Sequence, residues 1–216
     1  MLVYGHWGHP VLIFPTTMGK YYQAKDFQLT ESARGLVEAG KVKLYCIDSI
    51  DRDSWYGKHL HPSMRIRNAI QYDRFLNEEL VPAIQSECNV GKIAVTGCSF
   101  GGFQAANFAF KHPEKVSHLF TMGAAFDIRS FMSGYYDDNV YFNNPPDYLP
   151  NNNNSYLWQM DIVLGTCSAD FCKPDNERLS GILAAKNINH WLDIRWHGTH
   201  DWPIWREMFP EYLSRI

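Results

Sequence analysis

The 216-residue chain contains no apolar run as long as the roughly 20 residues that a membrane-spanning helix requires. It also lacks a cluster of Lys and Arg residues that could follow a phosphate backbone, and its net charge is −3 at pH 7. We therefore expect neither a membrane nor a nucleic acid as a partner. The apolar N-terminal stretch has no basic start and contains His6, His9 and Pro10, which is not typical of a signal peptide. The expected location is the cytoplasm.

An even set of cysteines is also missing. The chain has five, and an odd number in a chain of this length argues against a disulfide framework. Cys167 and Cys172 are separated by four residues, which is not a recognised metal-ligand spacing. His59 and His61 are more typical of a solvated loop than of a metal site. We therefore expect no metal and no cofactor.

Segments of two kinds alternate along the chain. Several of the predicted strands are continuous apolar runs, which is typical of strands buried on both faces. This alternation predicts one α/β domain over residues 1–216, with a mostly parallel central sheet, helices on both faces and no separate cap domain. The predicted strands are LVY near the N-terminus and 11–14, 43–48, 92–96, 118–123, 161–165 and 192–196. The predicted helices are 30–39, 66–86, 101–111, 177–187 and 203–213.

One further expectation concerns packing. In the predicted helix 66–86, Ile66, Ile70, Phe75 and Leu80 are expected to form the buried stripe.

The segment 127–160 interrupts the alternation, because it is long, aromatic and rich in asparagine. Long loops without regular structure are often functional. We predict an irregular loop insertion here, close to the site.

The stretch Gly97-Cys98-Ser99-Phe100-Gly101 matches the G-x-S-x-G pattern between a predicted strand and a predicted helix. In a nucleophile elbow the middle residue occupies a sharp turn, and small residues flank it because strand and helix approach closely. Ser99 is therefore the predicted nucleophile. Cys98 is expected to pack inward as a small apolar side chain. The alternative, with Cys98 as nucleophile and Ser99 as helix cap, is less favoured.

A serine hydroxyl needs a base, and the stretch 190–205, HWLDIRWHGTHDWPIW, contains three histidines. His190 precedes the last strand and lies at its wrong end. His197 follows the strand directly, whereas His200 comes three residues later, after a glycine, in a loop that can reach the elbow. We predict His200 as the base, with His197 as the alternative. The two tryptophans that follow are expected to pack beneath this loop.

An acid that orients the histidine is expected after the penultimate strand, because α/β-hydrolases have the chain order Ser, Asp, His. Asp170 lies five residues past Gly165, close to the end of that strand, and is the predicted acid. Asp175 is the alternative, although it is better placed to cap the following helix. Asp201 is adjacent to His200 in the chain and is poorly placed to orient that imidazole.

Two backbone N–H groups are expected to stabilise the oxyanion. One belongs to Phe100, the residue after the nucleophile, and the other to the loop that follows strand 11–14, with the sequence PTTMGK. Thr17 is the predicted second donor. Thr16 and Met18 are close alternatives.

On these motifs the chain resembles the esterase group of α/β-hydrolases that includes esterase D and the mycolyltransferases. The resemblance rests on GCSFGG at the elbow, GTCSAD at the acid and GTHDWPIW at the histidine. IDSIDRDSWY at 47–56 and VYFNNPPDYLP at 140–150 are similar to a compact subgroup of these esterases. The resemblance implies the α/β-hydrolase fold, Ser99, Asp170 and His200 as a catalytic triad, and no cofactor. The chain departs from lipase-like relatives in having PTTMG instead of an HGGG-type motif.

Together these residues predict a serine esterase that cleaves small to medium acyl esters through an acyl-enzyme. One alternative is transfer of the same acyl group to an alcohol or a sugar, and another is a non-catalytic binding protein on a hydrolase fold. The expected partner is a small-molecule ester, and the sequence is compatible with a homo-oligomer. The pocket is expected to be open or shallow. Its candidate lining residues are Tyr21, Trp55, Tyr56, Tyr135, Tyr136 and Tyr141.

Overall fold

A computed structural model describes all residues from 1 to 216. Each of the seven predicted strands is present. The strands are β1 Leu2–Tyr4, β2 His9–Phe14, β3 Val42–Cys46, β4 Ile93–Cys98, β5 Val116–Met122, β6 Asp161–Cys167 and β7 Trp191–Arg195. They form one sheet in the order β1-β3-β2-β4-β5-β6-β7. β1 pairs antiparallel with β3, and all other neighbours are parallel.

The sheet is the centre of the hydrophobic core. Every residue of β4 is buried, and alternate side chains enter two different apolar clusters, one on each face. Leu12 and Val95 belong to the first cluster, and Val11 and Ala94 belong to the second. The continuous apolar runs in the sequence therefore reflect strands that are covered on both sides.

Helices cover both faces of the sheet. The helices are α1 Gln23–Asp26, α2 Leu29–Ser32, α3 Arg34–Glu38, α4 Pro62–Phe75, α5 Val81–Cys88, α6 Phe100–Lys111, α7 Asp138–Tyr141, α8 Pro145–Tyr148, α9 Lys173–Ala185 and α10 Trp202–Leu213. The predicted helix 66–86 is one long rod, formed by α4 and α5 with a π-helical turn at Leu76–Leu80 between them. The predicted helix 30–39 is instead two short helices, α2 and α3. None of the helices combines the length and the apolar character needed to cross a membrane.

The expected buried stripe of α4 is wrong at Phe75. Ile66 is fully buried, but Phe75 remains 43% exposed, and Leu76 is buried in its place. Phe75 follows Ile66 by nine residues, which at roughly 100° per residue places it on the opposite face of the helix. The expected burial of Phe75 is thus incompatible with the helical repeat that starts at Ile66.

The segment 127–160 is more regular than the irregular insertion predicted for it. It contains α7, α8 and three 3₁₀ turns, at Arg129–Met132, Leu149–Asn151 and Ser155–Gln159. Met132, Val140, Leu149 and Leu157 are fully buried. Short turns of this kind have no long periodic pattern, so periodicity in the sequence does not predict them.

Helix α6 lies unusually close to the sheet because glycines line the contact. A Cβ at Gly101 would lie 2.4 Å from the carbonyl oxygen of Phe14, and a Cβ at Gly97 would lie 2.3 Å from the carbonyl carbon of Gly101. Both collisions involve backbone atoms, which have little freedom to move. The glycines of the motif are therefore a packing requirement.

We predict that Gly101→Ala lowers the free energy of unfolding by about 1–3 kcal/mol, because the new methyl group overpacks a backbone contact. Gly181→Ala in α9 is the matched control, since no atom lies within 4 Å of the added Cβ. That change should raise stability by about 0.5–1 kcal/mol, as expected for glycine in a helix interior. Urea unfolding of both variants measures the difference. Equal stability of Gly101→Ala and wild type would contradict the packing argument.

Candidate active site

Ser99 occupies the tight turn between β4 and α6. Its backbone has φ 53° and ψ −125°, a conformation that costs free energy for any residue other than glycine. Its N–H donates to the carbonyl oxygen of Met122 at the end of β5, with an N···O distance of 2.8 Å. Ser99 is half-buried, so part of the residue remains in contact with solvent.

The three predicted polar residues form one hydrogen-bonded line. Ser99 Oγ lies 2.9 Å from Nε2 of His200, and Nδ1 of the same ring lies 2.9 Å from Oδ1 of Asp170. A carboxylate only accepts hydrogen bonds, so Nδ1–H donates to Asp170 and Nε2 is left to accept from the serine hydroxyl. This arrangement lets the imidazole take the hydroxyl proton.

The carboxylate of Asp170 is held in a closed environment. Its side chain is 1% exposed, and Oδ1 also accepts from the N–H of Cys172 at 2.7 Å. Gly123 faces it with φ +60°, and a Cβ there would lie 2.6 Å from Oδ2 of Asp170. Only glycine therefore allows this close approach at the end of β5. The hydrogen bonds from the N–H of Cys172 and from the imidazole of His200 compensate for the free-energy cost of burying the charge.

Aromatic rings fix the imidazole of His200. The buried Trp205 packs edge-on against it at 5.1 Å between ring centroids, and Trp202 packs on Trp205. Trp205 supports the loop as expected from the sequence. Phe171 lies on the imidazole at 4.1 Å, although this side chain is 75% exposed. Phe171 is not among the predicted site residues, and its position directly after the predicted acid is the only sequence signal that points to it.

The cysteine of the elbow is in the position expected for a packing residue. Cys98 is 2% exposed and belongs to the apolar cluster on one face of the sheet. Burial raises the pKa of its thiol well above the usual value, so the thiol keeps its proton at neutral pH. These properties do not suit a nucleophile.

The alternative histidines and acids are engaged elsewhere. His197 forms an exposed pair with Glu207, and His190 bonds to Ser180. Asp201 accepts from the N–H of Trp202 and caps α10.

Asp175 does not cap α9, contrary to the expectation. Its carboxylate accepts from the N–H of Phe126 at 3.0 Å, while the residue at the cap position, Cys172, makes no side-chain cap bond. Asp175 thus anchors the chain after β5.

The loop after β2 lies beside the elbow, because Phe14 and Gly97 are partners in adjacent parallel strands. In this loop the N–H of Thr16 donates to Oε1 of Gln23 at 2.9 Å, and the N–H of Met18 donates to Oδ2 of Asp51 at 2.8 Å. The N–H of Thr17, between them, has no acceptor within the protein. Thr17 is therefore the one residue of the three candidates with a free donor.

An aromatic cluster borders the loop and the elbow. The ring of Phe100 packs against Tyr56 at 5.3 Å and Phe131 at 5.2 Å, and the hydroxyl of Tyr56 lies 3.0 Å from Oγ1 of Thr17. Trp55, also a predicted lining residue, is buried behind Phe100. Tyr135 lies at the margin of this cluster. The remaining three predicted lining residues contact other partners, with Tyr21 against Tyr22, Tyr136 bonded to Asp147 and Tyr141 against Phe142.

A potential metal-ligand group coincides with the hydrogen-bonded line. Ligand atoms of Asp170, Cys172 and His200 lie within 4.8 Å of one another. Burial, followed by the charges of Asp170 and Asp175, raises the pKa of the Cys172 thiol to about 12. A protonated thiol is a weak ligand, and the other two side chains already bond to each other.

Solved structures share this fold. A ferulic acid esterase superposes with a TM-score of 0.73 at 16% identity, covering 97% of this chain and 85% of its own. An S-formylglutathione hydrolase from Agrobacterium tumefaciens gives 0.74 at 13% identity, with coverages of 97% and 83%. MPT51 of Mycobacterium tuberculosis gives 0.70 at 12% identity, with coverages of 99% and 90%. At such identities the likeness concerns the fold alone.

Sequence comparison adds the family. Residues 24–216 match the family described as Putative esterase. The chain belongs to this esterase family. The matched range contains Ser99, Asp170 and His200, and it confirms the resemblance and the α/β-hydrolase fold expected from the sequence. A 1-acylglycerol-3-phosphate O-acyltransferase from Arabidopsis thaliana is 31% identical over 77 residues, which are 36% of this esterase and 18% of the relative. The chain therefore matches about a fifth of that protein's length.

We predict that Asp170→Asn lowers kcat of this esterase about 10⁴-fold, because the new amide can donate to Nδ1 of His200 and so stabilise the wrong tautomer. Asp175→Asn is the matched control, since Asp175 touches neither His200 nor Ser99, and its kcat should stay within about threefold of wild type. Steady-state hydrolysis of a p-nitrophenyl ester measures both. Comparable losses in the two variants would argue against Asp170 as the orienting acid.

Proposed function

We propose that the protein is a serine hydrolase that cleaves carboxylic esters of small to medium acyl groups through an acyl-enzyme. The observation that carries this proposal is the continuous hydrogen-bonded line from Ser99 Oγ through His200 to Asp170, with both distances at 2.9 Å. Membership of an esterase family supports ester cleavage in general. The geometry adds which atoms would perform it.

In this proposal Ser99 Oγ attacks the ester carbonyl carbon while its proton moves to Nε2 of His200. The tetrahedral intermediate collapses by breaking the bond to the alcohol oxygen, which takes the proton from Nε2. Water then attacks the acyl-enzyme and gives a proton to Nε2. Breakdown of the second intermediate returns that proton to Ser99 Oγ and releases the carboxylic acid. Asp170 stabilises the imidazolium that forms in both halves of the reaction.

The oxyanion of each intermediate would be bound by the N–H groups of Phe100 and Thr17. Phe100 is the first residue of α6, where backbone N–H groups have no partner within the helix. Thr17 is supported by elimination, since the neighbouring amides at 16 and 18 already donate to Gln23 and Asp51. Removal of one such donor typically costs about 10²–10³ in kcat.

The surroundings of Ser99 favour small to medium acyl groups. Ser99 and His200 are both partly exposed, so a substrate can approach without prior opening of the protein. Phe100, Tyr56 and Phe131 would form one wall of a shallow site. Phe171, which lies on the imidazole of His200 and is 75% exposed, would contact the leaving group. The proposed reaction consumes only an ester and water.

Several sequence-based expectations stay predictions. They are the cytoplasmic location, the lack of nucleic-acid and membrane partners, the dispensability of a cofactor, and the open question of a homo-oligomer. The names of the relatives offer candidate substrates for screening, namely feruloyl esters and S-formylglutathione. The Arabidopsis relative is named as an acyltransferase, but the short match makes transfer a question for experiment.

The first test is hydrolysis of p-nitrophenyl esters from acetate to octanoate. Ser99→Ala should lose essentially all turnover above background, a fall in kcat on the order of 10³-fold or more, because it removes the attacking oxygen. Cys98→Ala is the control, and kcat should stay within a few-fold, since the buried thiol makes no contact with substrate. Equal rates for wild type and Ser99→Ala would sink the proposal. The dependence of the wild-type rate on acyl-chain length would show how large an acyl group the site accepts.

A second experiment separates hydrolysis from transfer. The products of ester turnover are analysed with and without an added alcohol such as glycerol. Hydrolysis predicts that the free acid remains the main product, because the partly exposed site admits water to the acyl-enzyme. A new ester as the main product would instead identify the protein as an acyltransferase that uses the same Ser99 chemistry.

A further inference from the structure

Asp51 is a buried carboxylate without a cationic partner. It is 1% exposed, and no Lys, Arg or His side chain forms an ion pair with it. Burial raises its pKa to about 6. Placing a carboxylate in such a position is costly unless hydrogen bonds compensate. The donors of those hydrogen bonds identify the two elements that the carboxylate connects.

The two oxygens of Asp51 bond to two different elements. Oδ2 accepts from the N–H of Met18 in the loop after β2, at 2.8 Å. Oδ1 accepts from Nε2 of Gln104 in α6, also at 2.8 Å, and this bond is fully buried. One rigid, planar group therefore joins the loop that carries Thr17 to the helix that begins at Phe100.

The loop itself needs such support. Met18 has φ 57°, in the left-handed region that costs a residue with a side chain roughly 1–2 kcal/mol. The bond from its N–H to Asp51 holds this conformation, and the hydroxyl of Ser49 adds a bond to the carbonyl oxygen of Gly19 at 3.1 Å. With the amides at 16 and 18 both engaged, the orientation of the peptide between them is determined.

We propose that Asp51 is a positioning residue of the oxyanion hole, whose carboxylate sets the separation and orientation of the Thr17 and Phe100 amides. This inference rests on the proposed function, because it concerns the oxyanion of that reaction. Asp51 bonds to neither Ser99 nor His200 and has almost no contact with solvent, so it does not exchange protons with the substrate. Its effect is exerted through Met18 on one side and Gln104 on the other.

The test variant is Asp51→Ala, which removes both acceptor oxygens. Asn would keep both bonds, because the amide of Gln104, whose Oε1 has no partner, can rotate and accept from the Asn NH2. The matched control is Asp73→Ala. Asp73 lines the same pocket of about 30 Å³ and is also a partly buried carboxylate, but it bonds to Lys111 and His112 and not to the loop. Both proteins are compared with wild type at pH 8, where the Asp51 carboxyl of wild type is ionised.

Four quantities are measured on each protein, which are kcat and KM for a p-nitrophenyl ester, the inhibition constant of an alkyl boronic acid, and the midpoint of urea unfolding. A boronate bound to Ser99 mimics the tetrahedral intermediate and places an oxygen at the oxyanion position. For Asp51→Ala we expect kcat to fall about 10–100-fold with KM within about threefold, and boronate binding to weaken by a similar factor. For Asp73→Ala we expect a lower unfolding midpoint with kcat and boronate binding within about twofold.

Each outcome has a defined meaning. If Asp51→Ala is folded and both kcat and boronate binding stay near wild type, Asp51 has only a structural role and the inference is wrong. If Asp51→Ala does not fold, Gln104→Met removes the bond between α6 and the carboxylate and should reproduce the fall in kcat and the weaker boronate binding. If Gln104→Met leaves both unchanged, the inference fails as well. Wild type without Ser99-dependent turnover would reject the proposed function itself, together with this inference.

Discussion

The close approach of helix α6 to the sheet is the constraint on which the site depends. Glycines at 97 and 101 allow backbone to meet backbone, and the chain can turn from strand to helix within one residue. Ser99 bears the strain of that turn in its positive φ. The surrounding packing is extensive enough to maintain it, since every residue of α6 from Phe100 to Phe110 is buried. The packing beneath the turn thus holds the partly exposed Ser99 in this strained conformation.

Two buried carboxylates organise the opposite sides of this turn. Asp170 lies beyond β6 and orients an imidazole, whereas Asp51 lies beyond β3 and holds a peptide loop. Each receives a hydrogen bond from a backbone N–H, of Cys172 and of Met18 respectively. Because parallel strands end at one edge of the sheet, residues distant in the chain converge there. The polar groups of the site are therefore supported from both flanks by charges that solvent does not reach.

Much of this could be predicted from local patterns. Strands buried on both faces produce unmistakable apolar runs, and the elbow has a demanding glycine spacing, so Ser99 and its neighbours were identifiable. His200 and Asp170 followed from chain order. The expected burial of Phe75 is wrong because its spacing from Ile66 does not fit the helical repeat. The turns in 127–160 are too short to have a period. The positioning role of Asp51 could not be predicted from local patterns, because it depends on two elements that meet only in the folded chain.

The loop after β2 also bears on which substitutions the chain can accept. In the proposed mechanism position 17 contributes a peptide N–H, which every amino acid except proline supplies. The side chain of Thr17 bonds to the hydroxyl of Tyr56 but is not needed for that role, so its identity carries little information about catalysis. The information lies instead at Gln23 and Asp51, which hold the neighbouring peptides without touching the reacting atoms. A designer who wished to alter the border between this loop and Tyr56 could vary residue 17 while leaving those two residues untouched.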